Sequence, residues 1–227
     1  MKKKVIIVAA DSEDEIYRGI PDQFLLIEGK PLLCYTIQAF IDAFDDIEII
    51  LVLPKNHIGK GQEIIDGFFD PFRFRICEGG ATRFESVKNG LKKVIEESIV
   101  FVHDGIRCLV STKLIRRCYE EALANGMAIP AIKCKDDLRI MDRNGNNSIN
   151  RKKVKLIQSP QVFHSHILLQ AYQIAYKEHF TDEASVVEEF GLKINLIAGE
   201  EQNIKISSPM DIEFASFLLS QKVMEGH

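Results

Sequence analysis

Two glycines followed by an arginine and a serine form one group of residues that could do chemistry. Gly79-Gly80 stands directly before a predicted helix, and Arg83 and Ser86 fall in the first turn of that helix. Glycines let a planar base or a phosphate approach the backbone closely, and a helix amino terminus offers N–H donors to an anion. By itself the motif also fits a tight strand-to-helix turn whose arginine is solvated.

A carboxylate and a cation three residues apart form a second group. Asp104 ends the apolar segment Val102-His103-Asp104, and Arg107 follows it. A carboxylate at the end of a strand can hold Mg²⁺ against phosphate oxygens, and an arginine can bind a second phosphate with two N–H donors. A purely structural Asp–Arg pair fits these residues equally well.

Two polar interruptions occur between apolar stretches in the last third of the chain. One is Ser159-Pro160-Gln161, and the other contains Lys205 between Ile204 and Ile206. A lysine that points inward from a strand needs an anion as its partner. We therefore predict a short strand at residues 203–206 whose lysine faces an anion.

An acidic segment, Asp11-Ser12-Glu13-Asp14-Glu15, follows the first apolar stretch at residues 5–10. If that stretch is a buried parallel strand, its exit loop lies at the carboxyl edge of the sheet, where open α/β folds bind ligands. Two unit charges about 5 Å apart interact by roughly 3 kcal/mol at an effective dielectric constant of about 20, so an anion in place of a cation changes each contact by about twice that. We expect a triphosphate to bind this loop badly.

Strand and helix patterns alternate along most of the chain, which predicts an α/β fold: a Rossmann-like, mostly parallel sheet with helices on both faces. The alternating segments are residues 5–10, 31–44, 47–53, 58–69, 74–77, 82–95, 99–103, 112–124 and 127–132. Thr82 and Glu85 have the spacing of a capping box at the start of one predicted helix. The length of 227 residues, of which 46% are hydrophobic, suits a single domain over residues 1–227.

The alternation stops at residues 137–151, where Asn144-Gly145 signals a hairpin turn between two short extended segments. We expect this polar hairpin to project as an arm, and both a surface hairpin and a dimerisation device fit it. After the arm we predict a strand at 155–163, helices at 167–179 and 182–190, short strands at 193–197 and 203–206, and a closing helix from Pro209.

Charge and composition argue against several kinds of partner. The net charge of −4 gives no basic surface for nucleic acid, and no apolar run approaches the roughly 20 residues that span a membrane. The five cysteines lack Cys-x-x-Cys spacing, which favours reduced thiols in the cytoplasm over disulfides or a zinc site. His164 and His166 lie two residues apart in a polar segment, and we expect no metal there.

Five motifs together resemble the 2-C-methyl-D-erythritol 4-phosphate cytidylyltransferase family and its relative, ribitol-5-phosphate cytidylyltransferase. The motifs are Gly79-Gly80-x-x-Arg83-x-x-Ser86-Val87, Val102-His103-Asp104-x-x-Arg107, Ser159-Pro160-Gln161-x-Phe163, Thr181-Asp182-Glu183-Ala184-Ser185 and Asn203-Ile204-Lys205. Each motif alone is weak, but the combination is highly specific and extends from Val5 to about Leu219.

The resemblance implies a homodimer whose arm at residues 137–151 reaches the partner subunit, and a reaction in which a sugar-alcohol phosphate attacks the α-phosphate of CTP. The positions that it implies for nucleotide binding are Ala9, Ala10, Gly79, Gly80, Ser86 and Asp104. Those that it implies for the second substrate are Arg107, Asp137, Ser159, Lys205 and, from the other subunit, Arg151. Of these, Lys205 and Arg151 are implied to be catalytic, and Asp104 is implied to bind Mg²⁺.

The first loop departs from the family's form, which is Ala-Ala-Gly-x-Gly-x-Arg-Met followed by Pro-Lys-Gln. At unchanged spacing, Asp11 and Glu13 replace the two glycines. Glu15 stands in place of the catalytic arginine, and Asp22 stands in place of the catalytic lysine. Loss of one preorganised donor costs about 3 kcal/mol, or ~10²- to 10³-fold in rate, so two inverted charges predict a strongly impaired or absent reaction.

Several functions stay open on the sequence. One is a working cytidylyltransferase whose loop acids recruit extra Mg²⁺, and another is an enzyme for a different polyol phosphate such as ribitol 5-phosphate. A third is a noncatalytic dimer, a pseudoenzyme with a partner or regulatory role, whose acidic loop folds over the site and pairs with Lys205, Arg83 or Arg107. A fourth alternative is a loop that was altered deliberately.

Overall fold

Alternate apolar residues of the first strand face two separate hydrophobic layers. Val5 and Ile7 pack into one layer, and Ile6 and Val8 pack into the other. Burial on both sides is typical of a parallel strand with helices on both faces of its sheet. In the computed structural model, which describes residues 1–10, 16–17, 19–143 and 145–225, this strand is an interior strand of an eight-stranded sheet.

The main sheet is mixed but mostly parallel. The strands of the described chain, of which β2 with β3 and β8 with β9 form two small separate sheets, are β1 (Lys2–Val8), β2 (Leu26–Ile27), β3 (Lys30–Pro31), β4 (Ile47–Leu53), β5 (Phe74–Glu78), β6 (Ser98–Asp104), β7 (Met127–Lys133), β8 (Leu138–Asp142), β9 (Gly145–Ile149), β10 (Lys155–Ile157), β11 (Gln161–His164) and β12 (Leu196–Ala198). Their order in the main sheet is β10-β7-β11-β6-β1-β4-β5, and β12 pairs with β7. β11 runs antiparallel to both of its neighbours, whereas β6, β1, β4 and β5 run parallel. The predicted α/β fold is confirmed.

Helices cover both faces of this sheet. They are α1 (Leu32–Ala43), α2 (Ile58–Phe68), α3 (Arg83–Leu91), α4 (Thr112–Asn125), α5 (Ser165–Ala171), α6 (Glu183–Glu189) and α7 (Pro209–Glu225). α1, α2 and α4 bury one face, while α3, α5 and α6 bury the other. The predicted capping box begins α3, since the Thr82 hydroxyl accepts the Glu85 N–H and the Glu85 carboxylate accepts the Thr82 N–H.

The predicted strand at residues 155–163 was wrong, because it is two strands with different neighbours. β10 pairs with β7 alone, and β11 lies between β6 and β7. Pro160 has no N–H to donate to a ladder. Just before it, the buried Gln158 side chain donates to the backbone oxygens of Glu200 and Asn203, at 2.7 and 3.1 Å.

Other predicted elements also differ from the structure, among them the strand expected at 193–197, which is β12 at Leu196–Ala198. The helix expected at 167–179 is the shorter α5, because the chain turns after it to stack Tyr172 and Phe180 on Phe84, with ring centroids 4.7 and 5.7 Å apart. The strand expected at 203–206 is not a strand. No ladder holds that segment: the Asn203 side chain donates to the backbone oxygen of Ser159, and the Ile206 N–H donates to that of Ile106.

The hairpin expected at residues 137–151 is present as β8 and β9. Among the described residues these strands pair with each other and with no other strand, and most of their side chains are exposed. The hairpin therefore projects from the sheet as an arm. No helix in the described part of the chain is long and apolar enough to cross a membrane.

Candidate functional site

The loops that follow β1, β5 and β6 approach one another so closely that glycine is needed at two positions. A Cβ on Gly79 would lie 2.6 Å from the Cβ of Ala10, and a Cβ on Gly105 would lie 2.9 Å from the Cβ of Ala9. The N–H of Gly79 donates to the end of β4 at 2.8 Å, and that of Gly105 donates to the end of β1 at 2.7 Å. The predicted nucleotide-binding positions Ala9, Ala10 and Gly79 therefore meet at the carboxyl edge of the sheet.

The start of α3 is tied to the glycine pair. The Ser86 hydroxyl oxygen is fully buried and accepts the N–H of Gly80 at 3.1 Å. A Cβ on Gly80 would overlap the Cβ of Glu85, whose carboxylate accepts the N–H of Ala81 at 2.7 Å. The geometry brings Gly79, Gly80 and Ser86 together and leaves the Ser86 hydroxyl with a proton to donate.

Asp104 lies between two arginines at the end of β6. One carboxylate oxygen accepts from Arg83 Nη2 at 3.1 Å, and the other accepts from Arg107 Nε at 3.0 Å. Arg107 also donates to the backbone oxygen of Asn203 at 2.9 Å, which anchors its guanidinium. The glycine–arginine motif with Arg83 and the Asp104–Arg107 pair, each of which also fitted a structural role on the sequence, are thus parts of one charged cluster.

The Asp104 carboxylate is ionised in this cluster. Burial alone would raise its pKa, but the charges of Arg83 and Arg107 outweigh burial and hold the pKa well below the ordinary value of 3.8. Its side chain is 19% exposed toward the pocket. Mg²⁺ is usually bound by one or two carboxylates together with substrate phosphates and water, so a single charged, accessible carboxylate fits that ion.

Arg83 forms a buried ion pair with Glu183, a residue to which the sequence motifs assigned no role. Glu183 is fully buried at the start of α6, and its two carboxylate oxygens accept from the two Nη atoms of Arg83. The Tyr172 hydroxyl donates to the same carboxylate at 3.3 Å. Burial raises the pKa of Glu183 against the opposing effect of Arg83. The signal in the sequence was a glutamate inside a motif, followed by the apolar residues that bury its helix.

Ser159 lines the pocket but is almost fully buried, and its hydroxyl contacts the backbone of Asp104. It is 3% exposed, and its Oγ lies 3.0 Å from His103 Nδ1 and accepts the N–H of Asp104 at 3.1 Å. The other ring nitrogen of His103 lies 3.2 Å from the backbone oxygen of Arg107. Burial lowers the pKa of His103 to about 4, so the ring is neutral, donates to Arg107 and accepts from Ser159. The hydroxyl therefore positions the turn that carries Asp104 and Arg107.

Lys205 lines a pocket of about 320 Å³. The pocket is lined by Arg83, Asp104, Arg107, Ile157, Gln158, Ser159, Gln161, Thr181, Asp182 and Lys205. The prediction of an inward lysine in a strand was wrong, since Lys205 is exposed and lies outside any strand. It has no ion pair within the described part of the chain and is close enough to Asp104 to lower the pKa of that carboxyl. The structure thus brings together four of the predicted site residues: Asp104, Arg107, Ser159 and Lys205.

Asp137 and Arg151 lie at the base of the arm and do not line this pocket. Arg151 Nη1 lies 3.3 Å from an Asp137 carboxylate oxygen and donates to the backbone oxygen of Lys135 at 2.7 Å. Their side chains are 96% and 50% exposed. Within one chain, these two predicted substrate-binding residues are therefore not among the residues that line the pocket of Asp104 and Lys205.

The altered first loop is described only in part. Asp11, Glu13 and Glu15 lie outside the described residues, and so does the prediction that the acidic loop pairs with cations of the site. Asp22 is described: its carboxylate accepts the backbone N–H of Ile16 at 2.8 Å. The neighbouring Gln23 is buried and donates to the backbone oxygen of Ala9 at 2.9 Å. Asp22 therefore fastens the backbone where the family form has a lysine.

A mostly parallel sheet between two helical layers, with glycine-lined strand exits and a charged pocket at its carboxyl edge, defines the class of α/β nucleotidyltransferase folds. A family model described as 2-C-methyl-D-erythritol 4-phosphate cytidylyltransferase matches residues 4–221. The chain belongs to this family.

Individual relatives match over nearly the whole chain. The 2-C-methyl-D-erythritol 4-phosphate cytidylyltransferase of Phocaeicola vulgatus is 41% identical over 96% of this chain and 100% of that protein. The protein of the same name from Bacteroides thetaiotaomicron is 40% identical with the same coverage. The crystal structure of 4-diphosphocytidyl-2C-methyl-D-erythritol synthase from Anaerococcus prevotii is 29% identical, covers 96% of this chain and 98% of its own, and has a TM-score of 0.82. These matches confirm the resemblance found in the motifs.

Proposed function

We propose that this chain binds a cytidine nucleotide and a polyol phosphate at the carboxyl edge of its sheet. We also propose that it transfers CMP from CTP to 2-C-methyl-D-erythritol 4-phosphate far more slowly than an enzyme with the family's form of the first loop. The choice of substrates is supported by relatives that are named for this activity and that match nearly the whole chain. The acids at four loop positions support the reduced rate.

The pocket around Asp104 is the observation that carries the binding part of the proposal. The charge of Arg83 is balanced by the buried Glu183, whereas Arg107 and Lys205 face the pocket. Arg107 is held rigidly by two acceptors, and exposed Lys205 can meet a phosphate without a large desolvation cost. This pair suits the phosphate of the acceptor.

Catalysis of phosphoryl transfer consists mainly of positioning and charge neutralisation. We propose that Asp104 holds Mg²⁺, which would neutralise charge on the phosphates when it is bound. The backbone of Ala9, Ala10 and Gly79-Gly80 would hold the cytosine, because the chain segments approach each other closely there. The buried Ser86 hydroxyl would act from behind them, by accepting the N–H of Gly80. Ser159 would act indirectly, by fixing the turn between Asp104 and Arg107.

The rate part of the proposal rests on Glu15 and Asp22. Each stands where the family form has a cation, and loss of one such donor costs about 3 kcal/mol, or ~10²- to 10³-fold in rate. If the two losses add, the rate falls roughly 10⁴- to 10⁶-fold. Asp22 cannot take the place of a lysine, because its carboxylate is an anion that repels a phosphate, and it already accepts the N–H of Ile16. The same observations favour a second candidate, a noncatalytic dimer that still binds cytidine and serves a partner or regulatory role.

We propose that the arm makes a homodimer and brings Arg151 to the partner's pocket. The arm pairs with no other strand in the described part of its own chain, and its apolar side chains Ile140 and Met141 are 52% and 74% exposed. A groove of about 780 Å³ at its base is lined in part by Leu156, Phe214 and Leu218. Exposed apolar surface of this kind commonly marks a protein interface. Size-exclusion chromatography with light scattering tests the dimer, and a monomer at micromolar concentration contradicts it.

We propose a cytoplasmic location on the state of the thiols. No disulfide joins any of the five cysteines, and Cys34 and Cys118 are buried. Burial raises the pKa of Cys34 to about 11 and that of Cys118 to about 12, so neither thiol is reactive near neutral pH. Cysteines that form no disulfide are typical of a reducing compartment.

Calorimetric titration and a pyrophosphate-release assay test the function. We expect cytidine with Mg²⁺ to bind, CTP to bind no better than cytidine, and release of pyrophosphate with methylerythritol phosphate to be barely detectable. Robust turnover of the unaltered chain contradicts the reduced rate and the noncatalytic candidate alike. Turnover only with ribitol 5-phosphate would assign a different acceptor.

A restored loop separates impairment from loss of the site. The variant Asp11→Gly/Glu13→Gly/Glu15→Arg/Asp22→Lys should gain activity by several orders of magnitude with methylerythritol phosphate. The same variant carrying Lys205→Ala is its matched control and should lose most of that gain. A restored loop without any gain contradicts the proposed enzyme and leaves the noncatalytic candidate.

A further inference from the structure

Two histidines and a glutamate meet at the end of β6 that is opposite to Asp104. One ligand atom from each of Glu97, His164 and His166 lies within 4.8 Å of the corresponding atoms of the other two. Glu97 directly precedes β6, His164 ends β11, and His166 lies in the first turn of α5. The sequence spacing of the two histidines predicted no metal site, because the third ligand comes from a segment far away in the chain.

Strand pairing holds the three residues in place. His164 is opposite Ile99 in the antiparallel ladder of β11 and β6, and its N–H donates to the backbone oxygen of Gly126 at 3.0 Å. Between the two histidines, the buried Ser165 hydroxyl oxygen accepts the N–H of Ser98 at 3.1 Å. The ladder of β11 with β6 and the bond between Ser98 and Ser165 therefore hold the two histidines next to the glutamate.

The three side chains are available as ligands. Within the described residues, none of them has an ion pair or a side-chain hydrogen bond, and the two imidazole rings contact each other with centroids 5.5 Å apart. The adjacent Glu96, in contrast, is engaged by Lys2 and Lys4. Glu97 and His166 are exposed and His164 is partly buried, so an ion can reach them from solvent.

We propose that Glu97, His164 and His166 bind a divalent transition metal ion, with Zn²⁺ preferred and water completing the coordination. Two imidazoles and one carboxylate suit Zn²⁺, whereas Mg²⁺ and Ca²⁺ favour sites made of oxygen ligands. Bonds of about 2.0–2.1 Å in a tetrahedral site place the ligand atoms about 3.3 Å apart, which modest side-chain rotations reach from the present separation. The site is separate from the proposed Mg²⁺ site, since the two lie at opposite ends of β6.

A bound ion would connect the loop before β6 to the start of α5. Because the unfolded chain does not hold the three ligands together, the ion binds the folded state preferentially and raises its thermal midpoint. This effect does not depend on the proposed catalytic function. The nucleotide pocket is at the other edge of the sheet, so cytidine binding should be the same with and without the ion.

Two titrations of the untagged full chain test the site: one with ZnCl₂ followed by calorimetry, and one with Co²⁺ followed by its visible spectrum. We expect one ion per chain with a micromolar dissociation constant, an intense tetrahedral Co²⁺ spectrum, and no competition from millimolar Mg²⁺. His164→Ala and Glu97→Gln should each weaken binding roughly tenfold or more while leaving the circular dichroism spectrum unchanged. Either both variants lose affinity or the assignment of the ligands is wrong.

His179→Ala is the matched control. His179 is also an exposed histidine beside a carboxylate, with Nε2 3.5 Å from Glu189, but it belongs to no cluster of three ligands among the described residues. Its replacement should leave the affinity for Zn²⁺ unchanged. Loss of affinity in this control, or the absence of saturable Zn²⁺ binding by the unaltered chain, overturns the proposal.

Discussion

Glu183 holds Arg83 in place beneath the pocket, and replacement of Glu183 by glutamine tests whether this buried pair fixes the site. The carboxylate is fully buried, accepts from both Nη atoms of Arg83 and accepts from the Tyr172 hydroxyl. Glutamine has nearly the same shape and keeps one acceptor oxygen, but it removes the charge. Arg83 would then stay in the same surroundings without its buried counter-charge.

The expected loss of stability is about 3 kcal/mol. Breaking a buried ion pair by removing one partner costs roughly 3–5 kcal/mol, because the other charge remains buried. The Arg83 side chain is 21% exposed and still faces Asp104 at 3.1 Å, which places the loss at the lower end of this range. The ion pair between Lys177 and Glu189 serves as a control, since its side chains are 48% and 35% exposed and such pairs contribute about 0–1 kcal/mol.

Urea unfolding followed by circular dichroism measures both variants without any assumption about activity. Glu183→Gln should shift the midpoint strongly to lower urea with an unchanged slope, whereas Glu189→Gln should shift it little. A loss for Glu183→Gln no larger than that for Glu189→Gln would refute the inference that this pair supports the pocket. Coupled replacement of Glu183 and Arg83 by methionine should recover part of the loss, because no unpaired charge is left behind.

Three further predictions concern the turn around Asp104 and the glycine exits. The folded-state pKa of His103 is about 4, below the ordinary 6.5, so on acidification the unfolded chain takes up the proton first. The contribution of His103 to the free energy of unfolding is therefore complete above pH 6.5 and is lost as the pH falls toward 4. This loss amounts to about 3 kcal/mol, and urea midpoints measured across that range should fall less steeply in His103→Gln, a parallel fall being the contrary result. Ser159→Ala should cost about 1–3 kcal/mol in urea unfolding, because it leaves two buried polar groups without a partner, and an unshifted midpoint contradicts the network. Gly79→Ala should lower stability by about 1–3 kcal/mol in thermal melts, because its Cβ would collide with Ala10. Gly59 is exposed and has no atom within 4 Å of where a Cβ would stand, so Gly59→Ala should be neutral or slightly stabilising. Equal effects of the two replacements would refute the steric argument.

The parts of the fold that depend on local pattern could be read from the sequence. The strand at Ile47–Leu53 has the predicted bounds, and the capping box of Thr82 and Glu85 is present. Both follow from interactions among neighbouring residues, such as apolar runs and cap bonds. Strand 155–163 and the lysine at position 205 were misread, because the long-range partners of Gln158 and Asn203 decide the path of the chain there.

For the site, spacing along the chain could place only neighbouring groups together. Asp104 and Arg107 are three residues apart, and their contact is local. Arg83 and Glu183 are 100 residues apart, so no pattern in the chain shows that one braces the other. The burial of the Ser159 hydroxyl behind Asp104 was hidden for the same reason.

The sequence by itself determined the family, the α/β class and the change of sign at Glu15 and Asp22, because these are matters of residue type and spacing. Only the tertiary structure decided which partner each charge has. It placed Arg83 on Glu183, left Lys205 exposed at the pocket and brought Glu97 to the two histidines. The physical reason is that charged and polar side chains find their partners across the sheet, at distances along the chain over which sequence patterns carry no information about contact.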